Sequence, residues 1–455
     1  MGDLLSPKKA LTKIQAILLI IVVIAVVAGA IYSVYHFYIK PAGVGEVIPS
    51  EIKVGTVLPL SGPFSVEGSA ALLGMQVAVK WVNDHGGVSL GGKQVPLRLI
   101  YYDDQGNPDL AVKMTEKLVA EDKVHIVIHT WGFLSDFTPP VTERAGVFSI
   151  LWAGGAENHI GQGFKYMTSY HSQLVSFYKN VLRIIRDADP NAKTVALIWR
   201  SQPGIELWTM GARRYAAEYG FNLIYDRGYP PDITDASPIL REIEALKPDI
   251  LLIACYPPDG YVITTQLRDL RVNIKWVSAQ VIVNDPEFGE AFNKWAVGFL
   301  VDSFWEPEVD WRSIAMSKGI EFVGATNEEL LSIYRQLGGK GRPGGELGTA
   351  AAGVFLFAKI VEVAQSLDPD RLIEAAKMVD VYTCRGRFKV DPKEPLRQLG
   401  LDAPPIVVQW QRKDNKLTYE ILYPYEMKTS NPTPMPTWEE KEKWPTLEVV
   451  VRYAD

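Results

Sequence analysis

The feature that most constrains this chain is a rhythm: short apolar, β-rich runs alternate with helical patterns, and the alternation occurs twice. Candidate strands at 52–58, 95–102, 124–129 and 147–151 enclose candidate helices at 68–84, 108–121 and 138–145. From about residue 170 the rhythm restarts, with a helix over 172–188, strands at 194–199, 221–226 and 249–255, and helices at 206–219, 236–246 and 260–270. Strands that alternate with helices in this way read as βαβ units on a parallel, doubly wound sheet. Local signals agree. Asn107-Pro108 supplies a cap and a first-turn proline for one helix, and Lys247-Pro248-Asp249 makes a sharp helix-to-strand turn. A chain of 455 residues exceeds what one core organises, so two successive α/β units are expected.

Charge narrows the partners. The formal net charge is −6; the first fifty residues carry +2 and the remainder −8. An acidic body without clustered Lys and Arg argues against a nucleic-acid partner. Only two cysteines occur. Cys255 closes the apolar run 249–255 and reads as a small buried hydrophobe; its separation from Cys384 neither supports nor excludes a disulfide, and no metal spacing such as CxxC is present.

No charged residue lies between Lys13 and Lys40, and Ala16 to Val34 is almost wholly aliphatic. That run reaches the roughly 20 residues that cross a bilayer core as a helix. Tyr32, Tyr35 and Tyr38 follow it as interfacial aromatics would, while Lys8, Lys9 and Lys13 before it place the N-terminus in the cytoplasm. The expectation is a leader over 1–13, a transmembrane anchor over 14–39 and a tether over 40–50. A cleaved secretory signal is the alternative, although its apolar region is typically about 7–15 residues. A third reading is a prepilin-type site at Lys9-Ala10-Leu11-Thr12, as archaea use. All three put the body outside the cytoplasm.

At this point the residues resemble a known family. Residues 52–64 (IKVGTVLPLSGPF) open like the mature proteins of the leucine/isoleucine/valine-binding type, and Gly68, Gly74, Ala78, Asn83 and Gly86-Gly87 look like that family's first helix and turn. Asp103 with Pro108 and Ala111 fits its second βα unit, and Asp235 to Pro238 followed by Lys247-Pro248-Asp249 its second-lobe pattern. Val407 to Trp410 and Tyr423-Pro424 look like its closing strand and terminal segment. The likeness covers roughly 51–425. It implies two doubly wound Rossmann-like lobes of the type I periplasmic-binding, Venus-flytrap kind, behind the N-terminal transmembrane helix. It also implies three crossings, with 51–169 and 300–380 in the first lobe, 170–299 and 381–426 in the second, and 427–455 as a tail. The function implied is a solute-binding receptor of an ABC importer, with a permease as partner, a membrane anchor and no cofactor. Its ligand would be an amino acid, branched-chain or a related amide.

In open α/β sheets, ligands sit outside the carboxyl ends of strands. That rule nominates 61–64, 130–135 and 152–157 from the first unit, and 200–204 and 256–259 from the second. The loop 130–135 precedes a helix begun by Pro139 and Pro140, whose free N–H groups suit a carboxylate. By resemblance this is where family members hold an α-carboxylate on serines. Here Trp131, Gly132 and Phe133 stand in their place, leaving Ser135 and backbone amides. Gly155, Ala156 and Glu157 occupy the region of the family's threonine after the fourth strand, and Asp232 or Glu157 substitutes for its ammonium-binding acid. Tyr170 fits the aromatic that opens the second lobe, and Phe304 or Trp305 a later pocket aromatic. With Phe64, Gln202 and Tyr256 from the nominated loops, these are the candidate site residues.

Each has a plainer rival. Trp131 serves equally as lobe packing, Asp103 and Asp104 as turn caps, and Glu157 as a solvated charge. His125 and His129, four apart on a strand, read as core or surface histidines rather than metal ligands. An enzyme finds no GxSxG, HExxH or P-loop in this sequence. A membrane-anchored sensory ectodomain would need its output domain on another chain. A sugar receptor is kept open by Trp131, Trp152 and Trp199, because sugar sites stack aromatics on the ring.

Overall fold

The structure, a computed structural model, describes residues 47–155, 159, 161–170, 174–202, 204–390 and 406–453. The expected anchor over 14–39 lies outside these residues. Strands β1 (Ile52–Leu58), β2 (Leu97–Asp103), β3 (Ile126–Ile128), β4 (Phe148–Leu151) and β5 (Met167–Ser169) form a wholly parallel first sheet in the order β2-β1-β3-β4-β5. A second sheet holds β6 (Thr194–Arg200), β7 (Asn222–Tyr229), β8 (Ile250–Ala254), β9 (Trp276–Ala279), β10 (Phe299–Ser303), β11 (Ile406–Lys413), β12 (Lys416–Tyr423) and β13 (Glu448–Val450). Its order is β13-β12-β11-β10-β9-β8-β6-β7. The parallel part, β7-β6-β8-β9-β10, repeats the winding of the first sheet, and β11 and β12 extend it antiparallel. In both sheets the chain starts in the middle, steps outward, and returns to the other side. The loops after β1 and β3, and after β6 and β8, therefore diverge and leave a crevice at the carboxyl edge.

Helices α1 (Ser65–Asp84), α2 (Pro108–Ala120) and α3 (Pro139–Ala145) cover the first sheet; α4 (Lys179–Ala188), α5 (Ile205–Glu218), α6 (Ser237–Leu246), α7 (Pro257–Asp269) and α8 (Pro286–Phe292) belong to the second. Asn107 caps α2 by accepting from the N–H groups of Asp109 (2.8 Å) and Leu110 (3.2 Å), ahead of Pro108. The helix expected over 172–188 begins later. Residues 174–176 form a 3₁₀ turn and Tyr178 takes a left-handed backbone (φ 64°), so α4 starts at Lys179. The Tyr178 N–H donates to the buried Asp302 carboxylate at 2.7 Å, and the break turns the Phe177 ring onto Trp208, stacked at 4.9 Å. Tertiary contacts override helix propensity there.

Residues from 300 onward were expected in the first lobe, but β10 pairs with β9 and β11 in the second sheet. Helix α9 (Trp311–Ser317) stays with it, burying Trp311, Ile314 and Ala315 in the second sheet's outer core. The chain returns to the first lobe with α10 (Asn327–Gln336), α11 (Gly345–Ala364) and α12 (Pro369–Met378). Thr326 opens α10 with a reciprocal capping box to Glu329. Helix α11 has a mean hydropathy of 1.7 and is long and apolar enough to cross a membrane, yet 83% of its most apolar stretch is buried in the protein. It packs along α1. The tail beyond 427 lies on the second sheet: Met435, Trp438 and Leu447 are buried, and β13 runs parallel to β12. Cys255 and Cys384 are both free and buried.

Candidate functional site

The crevice left by the two windings narrows to a cavity of about 60 Å³. The first lobe lines it with Trp131, Gly132, Phe133 and Asp136 from the loop after β3, and with 152–155 from the loop after β4. The second lobe adds Phe177, Gly204, Trp208, Tyr256, Asn284 and Phe304; the start of α11 adds Gly345, Glu346 and Thr349. The aromatic rings meet across the lobes. Tyr256 lies 5.4 Å from Trp131 and 6.0 Å from Phe133 in the first lobe, and 5.6 Å from Trp208 in the second.

The loop after β3 forms a 3₁₀ turn, Gly132–Asp136, followed by the seven-residue α3. Ser135 does not present its hydroxyl to the cavity. Its Oγ donates to Gly132 O at 2.6 Å, and the side chain is buried. Gly154 is needed beside it: the backbone sits at φ 118°, and a Cβ there would stand 1.8 Å from the Ser135 Oγ. Trp152 donates its indole N–H to His129 O at 2.6 Å, which fixes the ring as a wall.

Two carboxyls face this space. Asp136 accepts from the Gly155 N–H, and burial pushes its pKa up to about 7. Its Oδ1 has no hydrogen-bond partner in the protein. The His159 Nε2 is 3.8 Å away, but burial pushes that imidazole down and favours its neutral form. Glu346 is raised to about 7, chiefly by burial, with the Trp131 side chain hydrogen-bonded to it. Asn284 Oδ1 and the Trp208 indole N–H, on a ring 5% exposed, also lack protein partners. Among the described residues, no Lys or Arg lines the cavity.

Of the residues nominated from sequence, Trp131, Gly132, Phe133, Gly155 and Tyr256 line the cavity, as does Phe304. Phe64 stands one layer behind, packed 5.3 Å from Trp131 and 5.8 Å from Phe133. Trp305 is buried, with its indole N–H donating to Asn327 Oδ1 at 2.9 Å, away from the crevice. Tyr170 is buried with its hydroxyl on Thr349 O, and its own carbonyl accepts from Arg385 at 2.8 Å. Gln202 is spent on Arg200, whose guanidinium also holds Asp259 at 2.5 Å. Asp232 is an exposed loop residue. Ala156 and Glu157 lie outside the described residues. Trp199 donates to Asp226 at 2.9 Å and does not reach the cavity.

The plainer readings account for the rest. Asp103 accepts from the N–H groups of Leu60, Ser61 and Gln105, and Asp104 from Thr130 and Gly106, so both fasten turns. His129 is fully buried with its pKa pushed down to about 3, and among the described residues no His, Cys, Asp and Glu cluster could hold a metal. Asp136, Glu346, Asn284, Phe177 and Trp208 were missed. Asp136 ends the nominated loop, and Glu346 is the acid in the first turn of an otherwise apolar helix; those are the only hints the sequence carries.

Comparison with known proteins agrees with this architecture. Residues 51–414 match the family model described as periplasmic binding protein. The chain is 25% identical over 268 residues to the Leu/Ile/Val-binding protein BraC3 of Rhizobium johnstonii, a stretch covering 55% of this chain and 65% of that one. It therefore spans slightly less than two thirds of that relative, and 56% of a Leu/Ile/Val-binding protein homologue from Brucella suis. Its fold is shared with the branched-chain amino acid transporter substrate binding protein LivJ from Streptococcus pneumoniae, in complex with isoleucine. There the TM-score is 0.66 and the identity 18%, over 82% of this chain and 99% of that one. It is shared as well with a solute binding protein of an ABC transporter from Rhodopseudomonas palustris in complex with 3,4-dihydroxybenzoic acid (TM-score 0.64, 20% identity, 82% and 96% covered). With four fifths of its length inside one family model and both windings intact, the chain belongs to the periplasmic binding protein family.

Proposed function

We propose that this protein is an extracytoplasmic solute receptor that captures a small polar molecule between its lobes and delivers it to the permease of an ABC importer. It is a binding protein rather than an enzyme, and residues 14–39 tether it to the membrane. One observation carries the reading: the cavity lies at the switch points of both sheets, and its walls are split between lobes, with Tyr256 seated on Trp131 and Phe133. A solute that touches both walls binds the closed form better than the open form and shifts the population toward closure. The sequence resemblance favours an amino acid or amide. The geometry holds that class less well, because Ser135 and the Gly155 N–H are already used inside the protein.

The test is X-ray scattering on the purified chain, paired with a thermal-shift screen of amino acids, amides, amines, aromatic acids and sugars. The expected result is a solute that raises the melting temperature and reduces the radius of gyration. A stabilising solute that leaves the radius unchanged sinks the closing mechanism, and a screen with no stabilising solute sinks the receptor reading.

A further inference from the structure

The cavity gathers acids and aromatic rings, and among the described residues no Lys or Arg lines it. Beyond the cavity already described, the space between the lobes continues past Asn284 and Glu346 along Glu67, Asp285, Glu287 and Glu290. The bases on that path are Lys340 and Arg342, and Arg342 is committed to Glu306 and Glu308. Glu67 comes from α1 in the first lobe and Asp285 from the cap of α8 in the second, so closure brings like charges together. The pKa of Glu67 is raised to about 8 by burial, then by Glu346 and Asp285.

We propose that the solute is an organic cation without a carboxylate, an amine or quaternary ammonium whose charge sits against Asp136 within the cage of Trp131, Phe133, Phe177, Trp208, Tyr256 and Phe304. This rests on the receptor reading and names its ligand class. Five observations support it. Ring faces attract a desolvated cation, and these six rings converge from both lobes at centroid separations of 4.9–6.0 Å between neighbours. Asp136 lines the cavity and can counter an ammonium or quaternary charge, and the imidazole beside its unpartnered Oδ1 is favoured neutral. Two donors of the loops where family members hold a carboxylate are taken, the Gly155 N–H by Asp136 itself and the Ser135 hydroxyl by Gly132 O. An anion would meet Asp136 and Glu346 in a buried site with no Lys or Arg among the described lining residues. The unpartnered Trp208 N–H, on a ring 5% exposed, suits a neutral acceptor on the same molecule, such as a hydroxyl. A second amine would extend along Glu346, Glu67 and Asp285.

The experiment titrates the full-length chain with choline, 1,4-diaminobutane, isoleucine, 4-hydroxybenzoate, acetamide and glucose, following the fluorescence of the cavity tryptophans. Choline or 1,4-diaminobutane should bind saturably, and D136N should weaken that binding about tenfold or more while keeping the wild-type circular dichroism and a melting temperature no lower than that of the wild type. Choline keeps its charge at every pH, so its affinity should rise between pH 5.5 and 8 as Asp136 and Glu346 give up their protons, and the rise should be smaller in D136N, where only Glu346 still titrates. W208F serves as the second variant, expected to weaken choline more than tetramethylammonium, which lacks the hydroxyl. Binding of isoleucine, 4-hydroxybenzoate, acetamide or glucose with both amines silent overturns the cation proposal and leaves the receptor standing. Amine binding that D136N changes less than twofold overturns the placement at Asp136. Silence from every compound here and in the wider screen overturns both.

Discussion

Glu67 shows how a single carboxyl can make the stability of the folded chain sensitive to pH. It is 9% exposed on α1 and faces Glu346 and Asp285, with Glu287, Glu290, Lys340 and Arg342 lining the same space. Its pKa of about 8 means the folded chain holds a proton that the unfolded chain has released over the range from the ordinary carboxyl value up to about 8. The native state therefore binds more protons in that window, and stability falls as pH rises through it. E67Q should flatten the decline: the variant's gain in melting temperature over wild type should be larger at pH 8.5 than at pH 5, by scanning calorimetry. Equal gains at both pH values would refute the assignment. Site residues divide by the same physics. Trp131, Gly132, Phe133, Gly155 and Tyr256 were legible because strand ends and switch points follow from chain order alone. Asp136 and Glu346 were not, because a carboxyl's role depends on which neighbours desolvate it.

At the scale of elements, α1 and α11 touch through their small residues. A Cβ on Gly74 would stand 2.1 Å from the Leu347 carbonyl oxygen of α11, a backbone atom that cannot swing aside. G74A should therefore cost about 1–3 kcal/mol by overpacking, read as a lower urea midpoint with an unchanged slope. A neutral result would mean that the helices part freely. The boundaries of β1 and α2 were legible because alternation and caps are local. The start of α4 was not, since the left-handed turn at Tyr178 is held by Asp302, 124 residues away. The apolar α11 carries the same ambiguity, because only its packing against α1 makes it a core helix rather than a span.

For the whole molecule, Arg342 ties together four segments that the sequence leaves far apart. It lies between α10 and α11, bonds Glu306 and Glu308 of the crossing from the second lobe, and donates to Arg452 O in the tail at 2.9 Å. The Tyr419 hydroxyl of β12 donates to the same Glu306 at 2.9 Å. The charged side chains are 5–6% exposed. R342M would strand two buried carboxylates, and removing one partner of a buried ionic group costs about 3–5 kcal/mol. Urea unfolding should show that loss, and R342M/E306Q should recover part of it. A change below about 1 kcal/mol would show the group to be solvated. The sequence by itself determined the doubly wound α/β character, the repetition of the unit, and the loops that open on the crevice. Those follow from local periodicity and from the rule that a parallel strand needs a helical crossover. Only the tertiary structure decided that β10 belongs to the second sheet, that the tail packs against that lobe, and that the cavity within the crevice is walled by rings and carboxyls without a lining Lys or Arg among the described residues. Sheet membership and the electrostatics of a cavity depend on contacts across hundreds of residues, and no local pattern records them.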